Sequence, residues 1–161
     1  MNAREKINSK IVNLPEFIKL KKENKIKGKI VYTNGCFDIL HKGHIETLSK
    51  SSEFGECLVI GLNSDDSVTR LKGEGRPVQD EESRSLVLAS MGFIDFVIVF
   101  EEDTPLEMIE AIQPDVLIKG GDYKLDEIVG HDVIARNGGE VYCLNFVEGY
   151  SSTNIITKLK N

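Results

Sequence analysis

Apolar residues are concentrated in five short runs along the chain, separated by longer segments of mixed polarity. Each run has four to eight residues, which is typical of a strand buried on both faces of a parallel sheet. The pattern therefore predicts five strands, at residues 30–33, 56–63, 93–100, 115–119 and 140–146.

The segments between these runs carry the apolar spacing and end signals of helices. Asp80 is placed to cap a helix that reaches Met91. Its predicted core residues are Leu86, Val87, Leu88 and Met91, with Arg84 on another face. Thr104 precedes Pro105 and Glu107 in the order expected for an N-cap, a first helical position and a capping box. The predicted helices lie at residues 14–27, 45–54, 80–91, 104–113, 125–137 (one helix or two) and from 151 to the C-terminal residues.

Alternation of strands and helices predicts an α/β fold built from right-handed β-α-β crossovers. We expect a single doubly wound, Rossmann-like domain with a five-stranded parallel sheet and helices on both faces. Residues 1–28 would form a covering helix segment of the domain built by residues 29–161. A split in strand order between the first and fourth strands would open a crevice, and the polar turns would meet at that edge.

Composition indicates a folded chain without a membrane segment. Of the 161 residues, 40% are hydrophobic and 29% charged, which are globular values. The longest nearly apolar run, 93–100, is far shorter than a membrane span, and the N-terminal residues do not lead into a signal-peptide-like apolar region. We therefore expect a cytoplasmic protein that does not bind membranes.

The cysteines also favour a cytoplasmic location. Cys36, Cys57 and Cys143 form no C-x-x-C pair. Cys57 and Cys143 fall within predicted strands, where a reduced thiol in the core is the default.

Charge is unevenly distributed. The net charge of −6 argues against nonspecific nucleic-acid binding. Residues 1–29 nevertheless carry nine Lys or Arg against three Glu, a net charge of +6 that leaves −12 on the rest. This basic segment is either a solvated helix face or a surface that attracts an anionic substrate or an acidic partner.

The most informative stretch runs from Thr33 to His44, where the first predicted strand gives way to a glycine turn and a helix. Free N–H groups and the positive end of the helix dipole make such a junction suitable for binding phosphate. His41 and His44 lie at its mouth, and Gly35 and Gly43 would let a ligand approach the backbone closely.

Two other interpretations of this stretch remain open from the residues alone. The two histidines and Asp38 could bind a metal ion, although no third convincing ligand stands out and Lys42 separates the imidazoles. The stretch could also be an ordinary turn with surface histidines.

Further polar groups are predicted at the same edge. The segment 70–77 is a cationic, glycine-containing loop that is either simply solvated or a mobile cover over an anionic substrate. The last predicted helix starts with Ser151, Ser152 and Thr153, which form either a second phosphate cradle or ordinary caps. Neither a G-x-G-x-x-G turn after the first strand nor a Walker A sequence is present, so dinucleotide oxidoreductases and P-loop kinases are not supported.

This set of groups suits phosphoryl or nucleotidyl transfer, in which catalysis consists mainly of positioning and charge stabilisation. A sugar phosphate already carries a nucleophilic oxygen anion at neutral pH, so no strong protein base is needed. Mg²⁺ on the leaving pyrophosphate would reduce the repulsion between the two anionic substrates.

The motif from Gly35 to Asp38, followed by His41-Lys42-Gly43-His44, resembles the H-x-G-H signature of the nucleotidyltransferase superfamily. From about Lys10 onward the chain is similar to the adenylyltransferases of the ADP-heptose pathway, which in many bacteria form the C-terminal half of a bifunctional heptose kinase/adenylyltransferase. Because the resemblance is to that half alone, the chain is similar to the stand-alone members. The segments that carry this similarity are 32–44, 71–73 with 76–78, 100–105, 119–123 and 151–156.

The resemblance implies an enzyme that joins ATP to D-glycero-D-manno-heptose 1-phosphate and releases pyrophosphate, with Mg²⁺ as cofactor. It implies a homodimer or higher assembly and a role in lipopolysaccharide inner-core biosynthesis. His41 and His44 would contact the triphosphate and act catalytically. The nucleotide would be bound by Thr33, Asn34, Gly35, Cys36, Phe37, Gly43, Lys119, Gly120, Ser151, Ser152 and Thr153. Weaker candidates for the sugar phosphate are Asp38, Lys42, Lys72, Arg76 and Asp122, and no protein metal ligand is assigned.

One departure from the related cytidylyltransferases lies before the last helix. Glu148-Gly149-Tyr150 replaces their Arg-Thr-Glu-Gly-Ile opening, so an expected arginine contact must come from elsewhere. The alternatives are another enzyme of this type, such as a glycerol-3-phosphate cytidylyltransferase, or a nucleotide-binding module without turnover. The sequence itself does not distinguish ATP from CTP.

Overall fold

A five-stranded, entirely parallel sheet forms the centre of the computed structural model, which describes all 161 residues. Its strands are β1 (Ile30–Gly35), β2 (Cys57–Asn63), β3 (Phe96–Phe100), β4 (Val116–Gly120) and β5 (Glu140–Leu144). They lie in the order β3-β2-β1-β4-β5. The order reverses between β1 and β4, as the sequence predicted, so the crevice of a doubly wound sheet opens at that point.

Eight α-helices cover the sheet. They are α1 (Ala3–Asn8), α2 (Leu14–Lys22), α3 (Lys42–Ser51), α4 (Asp65–Lys72), α5 (Glu81–Ala89), α6 (Leu106–Ile112), α7 (His131–Arg136) and α8 (Ser152–Lys160). Short 3₁₀ turns follow α3 at Ser52–Phe54 and precede α7 at Leu125–Glu127. No helix combines the length and the apolar character that crossing a membrane would require.

Buried apolar side chains form one cluster on each face of the sheet. The first contains Phe17 from α2, Met108 from α6 and Ile134 from α7. The second contains Leu48 from α3 and Leu88 from α5. All seven residues of β2 are buried, which agrees with its apolar sequence up to Asn63, as expected of a strand covered on both faces.

The N-terminal segment is attached to the edge of the sheet beside β3. The N–H of Val12 donates to the carbonyl of Val97 at 3.1 Å, and the N–H of Val97 donates to the carbonyl of Lys10 at 2.9 Å. The ammonium of Lys10 also donates to the carbonyls of Met91 and Ile94, just beyond the end of α5. A basic side chain thus binds two carbonyls of the turn between α5 and β3.

Four sequence predictions of local structure are corrected. The helix predicted for 14–27 ends at Lys22, because Asn24 takes a left-handed conformation (φ 54°) that breaks the helix. The predicted loop 70–77 begins as a helix, since α4 extends to Lys72. The start of α4 had signals in the sequence: Ser64 can serve as an N-cap, and Asp65 and Asp66 follow in the first turn. In the structure, the Ser64 side chain accepts from the N–H of Ser67. Pro105, not Thr104, is the N-cap of α6.

The fourth correction concerns Arg84, which was predicted to lie away from the core face of α5. It is only 1% exposed, whereas Val87, a predicted core residue, is 41% exposed. A guanidinium can be buried here because each of its three nitrogens donates to an oxygen.

Candidate active site

A cavity of about 590 Å³ opens at the carboxyl edge of the sheet, where β1 and β4 diverge. Sixteen of the eighteen candidate residues from the sequence line it; the exceptions are Lys42 and Asp122, both of which are exposed. The structure therefore brings four separate segments together: the end of β1 with the turn and helix that follow it, the end of α4 with the loop after it, the end of β4 and the start of α8. The lining candidates are Thr33, Asn34, Gly35, Cys36, Phe37, Asp38, His41, Gly43, His44, Lys72, Arg76, Lys119, Gly120, Ser151, Ser152 and Thr153.

The two imidazoles are stacked at the start of α3. Their ring centroids are 3.9 Å apart, with 29° between the ring planes. The Nδ1 atom of His41 accepts from the N–H of Gly43 at 3.1 Å, and the Nδ1 atom of His44 accepts from the N–H of His41 at 3.4 Å. Since each Nδ1 accepts a hydrogen bond, each neutral ring carries its proton on Nε2. Both histidines can therefore donate from Nε2.

Electrostatics favours the neutral form of both rings in the ligand-free protein. Burial, together with the neighbouring His41, lowers the pKa of His44 to about 4. Burial also lowers the pKa of His41. A polyphosphate placed against the rings would reverse this effect, because a nearby negative charge stabilises the protonated imidazolium.

Gly43 is required by the geometry of the histidine pair. A Cβ at this position would stand 2.9 Å from Cε1 of His41 and 3.3 Å from Cβ of Tyr150. The Tyr150 ring itself lies 6.4 Å from that of His41, at an interplanar angle of 26°. Glycine therefore allows the His41 ring to pack over the first turn of the helix.

The turn between β1 and α3 presents unpaired backbone donors. The N–H groups of Cys36, Phe37 and Asp38 donate to no backbone or side-chain acceptor in the protein. Phe37 adopts a left-handed conformation (φ 46°), and its ring contacts that of His44 edge-on at 5.4 Å. Donors left free beside a cavity are the groups that bind phosphate oxygens at such turns.

Asp38 is occupied by contacts within the protein. Its carboxylate accepts from Nε of Arg76 at 2.7 Å and from the N–H groups of Val78 and Gln79. Burial by itself raises the pKa of Asp38, but these hydrogen bonds outweigh burial and hold it below its usual value. The Asp38 side chain is 1% exposed. It anchors the segment that follows α4 to the turn after β1.

Lysines supply further positive charge to the cavity wall. Lys119 is carried there by β4, and burial lowers its pKa. Lys72 reaches the wall from the end of α4. Lys42, by contrast, lies outside the wall, with its ammonium 5.6 Å from the centre of the Tyr150 ring.

The start of α8 closes the cavity on another side. Ser151 is the N-cap, and its hydroxyl accepts from the N–H of Asn154 at 3.0 Å. The hydroxyl of Ser152 donates to the carbonyl of Ile39 at 2.9 Å. The hydrogen bond from Ser152 thus connects the C-terminal segment to the turn after β1.

Several residues of the wall were not among the candidates from the sequence. Asn63 lies at the end of β2, and its amide donates to Ser67 at 3.0 Å. Phe146, 70% exposed, forms a more apolar part of the wall together with Val129 and Val147. The position of Asn63 at a strand end was a usable signal, but the apolar contacts of Phe146 depend on the packing of distant segments.

The structure contains no group of three or more His, Cys, Asp or Glu side chains placed to bind a metal ion. The carboxylates on the cavity wall belong to Asp38 and Asp103, and each accepts from an arginine, Arg76 and Arg70 respectively. A divalent ion at this site would therefore depend mainly on oxygens supplied by the substrate and by water.

Curated relatives match most of the chain. It is 50% identical over 153 residues to the "Bifunctional protein HldE" of Geotalea uraniireducens (strain Rf4), a match that covers 94% of the chain and 31% of that protein. It is 53% identical over 135 residues to the protein of the same name from Campylobacter concisus (strain 13826), covering 84% of the chain and 28% of that protein. The chain thus spans about a third of the length of these relatives.

A solved structure is also similar to this chain. The lipopolysaccharide core biosynthesis protein from Thermoplasma volcanium GSS1 is 30% identical, with a TM-score of 0.62. The match covers 78% of the chain and 100% of that structure. The model of the cytidylyltransferase-like family matches residues 32–158, which include most of β1, the histidine pair and the start of α8, and the chain therefore belongs to this family.

Proposed function

We propose that the protein is a nucleotidyltransferase that transfers AMP from ATP to D-glycero-D-manno-heptose 1-phosphate, giving ADP-heptose and pyrophosphate. The observation that carries this proposal is the stacked pair His41 and His44, with both Nε2 atoms free, on a cavity wall that also holds Lys119 and unpaired backbone donors. All of these groups stabilise negative charge, and none forms a hydrolytic triad.

The reaction needs little else from the protein. An oxygen of the sugar 1-phosphate attacks the α-phosphorus of ATP, the bond from that phosphorus to the α–β bridging oxygen breaks, and pyrophosphate leaves with the electron pair. The Nε2–H groups of His41 and His44 stabilise the charge that builds on the transferred phosphoryl group. Mg²⁺ enters as part of the Mg–ATP substrate and neutralises charge on the leaving pyrophosphate.

The choice of heptose phosphate is supported by similarity. The relatives that are about 50% identical bear the name HldE, and the structural neighbour is described as a lipopolysaccharide core biosynthesis protein. ADP-heptose is a precursor of the lipopolysaccharide inner core. Because the chain spans only about a third of those relatives, the activity proposed here is that of this domain.

A second candidate keeps the mechanism and changes the substrates. The matching family model is described as cytidylyltransferase-like, which favours CTP with an alcohol phosphate such as glycerol 3-phosphate. Phe146 lines the cavity, and an aromatic ring can contact any nucleobase, so this part of the wall would not select ATP over CTP.

The proposal is tested by mixing the protein with Mg²⁺, each of the four nucleoside triphosphates, and heptose 1-phosphates of both anomers or glycerol 3-phosphate. Pyrophosphate release and product mass are followed, with His44→Ala as the control. ADP-heptose formed by the wild type and lost in His44→Ala is the expected result. CDP-glycerol would replace the proposed substrates, and bound nucleotide without pyrophosphate release would overturn the enzymatic assignment.

A further inference from the structure

Arg84 is buried directly beneath the turn that follows β1. Its side chain is fully buried. The other buried residues of α5, which are Ser85, Leu88 and Ala89, are all uncharged. A charge is removed from water at considerable cost unless it is fully hydrogen-bonded. The contacts of Arg84 therefore indicate what it holds in place.

Those contacts reach two segments of the cavity wall. Nη1 donates to the carbonyl of Cys36 at 2.7 Å and to that of Asn63 at 2.8 Å. Cys36 is the first residue after β1, and Asn63 is the last residue of β2. Nε donates to the carbonyl of Gln79 at 2.9 Å, and Nη2 donates to the carboxylate of Asp65 at 2.7 Å. One planar guanidinium thus fixes the relative positions of β1 and β2 where they meet the cavity.

The bond to Cys36 orients the donors of the turn. A trans peptide group is planar, with its C=O and N–H on opposite sides. Because the Cys36 carbonyl is turned inward to Arg84, the following N–H, that of Phe37, faces the other way. That N–H has no acceptor in the protein, and both Cys36 and Phe37 line the cavity.

The same guanidinium also completes a closed circuit of hydrogen bonds. The carbonyl of Gln79 accepts from Nε of Arg84, and the N–H of Gln79 donates to Asp38 at 3.0 Å. Asp38 lies two residues after Cys36, and the carbonyl of Cys36 accepts from Nη1 of Arg84. The circuit joins the turn 36–38 to the segment 76–79, which carries Arg76.

We propose that Arg84 is a positioning residue for nucleotide binding, which holds the Cys36 carbonyl inward so that the N–H of Phe37 is presented to a phosphate oxygen. This inference rests on the proposed function, since it deepens the account of the same site. Arg84 touches no substrate and acts through the backbone of the turn.

The experiment compares Arg84→Lys and Arg84→Met with Leu88→Ala, which removes a fully buried side chain one helical turn away without touching the circuit. Three quantities are measured: the unfolding midpoint, the Kd of ATP without sugar phosphate, and the amide exchange rates of Val78 and Gln79, whose N–H groups bind Asp38. KM and kcat are also measured for each variant that turns over substrate.

All three variants are expected to unfold more easily. Only the Arg84 variants should weaken ATP binding, by about tenfold, which corresponds to one hydrogen bond to a charged group. They should also accelerate exchange at Val78 and Gln79, with Lys less damaging than Met because it retains the charge. Their nucleotide KM should rise more than their kcat falls.

An ATP Kd in Arg84→Lys and Arg84→Met equal to that of Leu88→Ala would overturn the inference and leave Arg84 with a purely structural role. Failure of the proposed function is a separate outcome. If the wild type binds ATP but transfers nothing, the Kd comparison still decides the role of Arg84. If it binds no nucleotide at all, both the function and this inference fail.

Discussion

The carboxylate of Asp38 and the guanidinium of Arg76 form an ion pair of 2.7 Å, in which the Asp38 side chain is 1% exposed and that of Arg76 16%. The two residues are far apart in the sequence, and the pair joins the turn after β1 to the segment that follows α4. Removing one partner of a buried pair is costly, because the other charge stays behind without compensation.

Asp38→Asn is therefore expected to lower the free energy of unfolding by about 3 kcal/mol. The matched control is Asp103→Asn, which breaks the ion pair with Arg70, where the side chains are 64% and 50% exposed. Exposed pairs contribute about 0–1 kcal/mol, so this control should change little. Urea unfolding of both variants provides the measurement, and equal losses would contradict the buried role of Asp38.

Stability should depend on pH through His44. Its pKa of about 4 in the folded protein lies below the value of about 6.5 for an unperturbed histidine. Between these values the unfolded chain binds more protons than the folded one, so stability is complete above pH 6.5 and declines as the pH falls towards 4. Because the ring is partly solvated, we expect a loss of about 1–2 kcal/mol over this range.

Unfolding measured by denaturant from pH 7 to pH 4 tests this slope. His44→Asn should flatten it, while His131→Asn, which changes a histidine outside the cavity, should leave it as in the wild type. The acidic residues add a separate decline near and below pH 4, so the comparison is made between pH 6.5 and 4.5. An unchanged slope in His44→Asn would refute the prediction.

Gly43→Ala should separate activity from stability. Alanine gains about 1 kcal/mol of helix propensity over glycine. The new Cβ, however, stands 2.9 Å from Cε1 of His41 and must displace that ring. We expect nucleotidyl transfer to fall by at least tenfold, with the free energy of unfolding changed by less than about 1 kcal/mol.

Gly92→Ala is the control for this substitution, since a Cβ at Gly92 meets nothing within 4 Å. Steady-state kinetics and thermal unfolding are measured for both variants. Full activity in Gly43→Ala would show that the His41 ring can move without consequence for the reaction.

Tyr32 and Gly61 form a tight pair in the core, because a Cβ on Gly61 would overlap the hydroxyl of Tyr32. That hydroxyl is buried and has no hydrogen-bond partner in the protein. Tyr32→Phe removes an unpaired polar atom and should raise the free energy of unfolding by about 1 kcal/mol. Gly61→Ala should lower it by about 1–3 kcal/mol through overpacking.

Tyr142→Phe is the comparison for the hydroxyl, because the hydroxyl of Tyr142 donates to the carboxylate of Glu140. This variant should be neutral or slightly destabilised. Chemical unfolding of the three variants provides the test. A loss of stability in Tyr32→Phe would mean that a buried water binds the hydroxyl.

The sequence by itself determined the parallel α/β sheet, the split between β1 and β4, and the histidine pair at the start of α3. These features rest on local signals: apolar runs of strand length, glycines at turns, and two imidazoles placed where a helix begins. Residues that follow strands in such a fold must meet at one edge, so their common location could be predicted without coordinates.

Tertiary structure alone decided how the polar groups are paired. Arg84 looked like a surface residue of an amphipathic helix, yet it is buried because Cys36, Asn63, Gln79 and Asp65 supply acceptors from separate segments. Asp38 was a candidate ligand for sugar phosphate, and the structure shows its carboxylate held by Arg76 and by backbone N–H groups. Residue patterns reveal which groups reach the edge of the sheet, but hydrogen bonds between distant segments form only once the chain has folded.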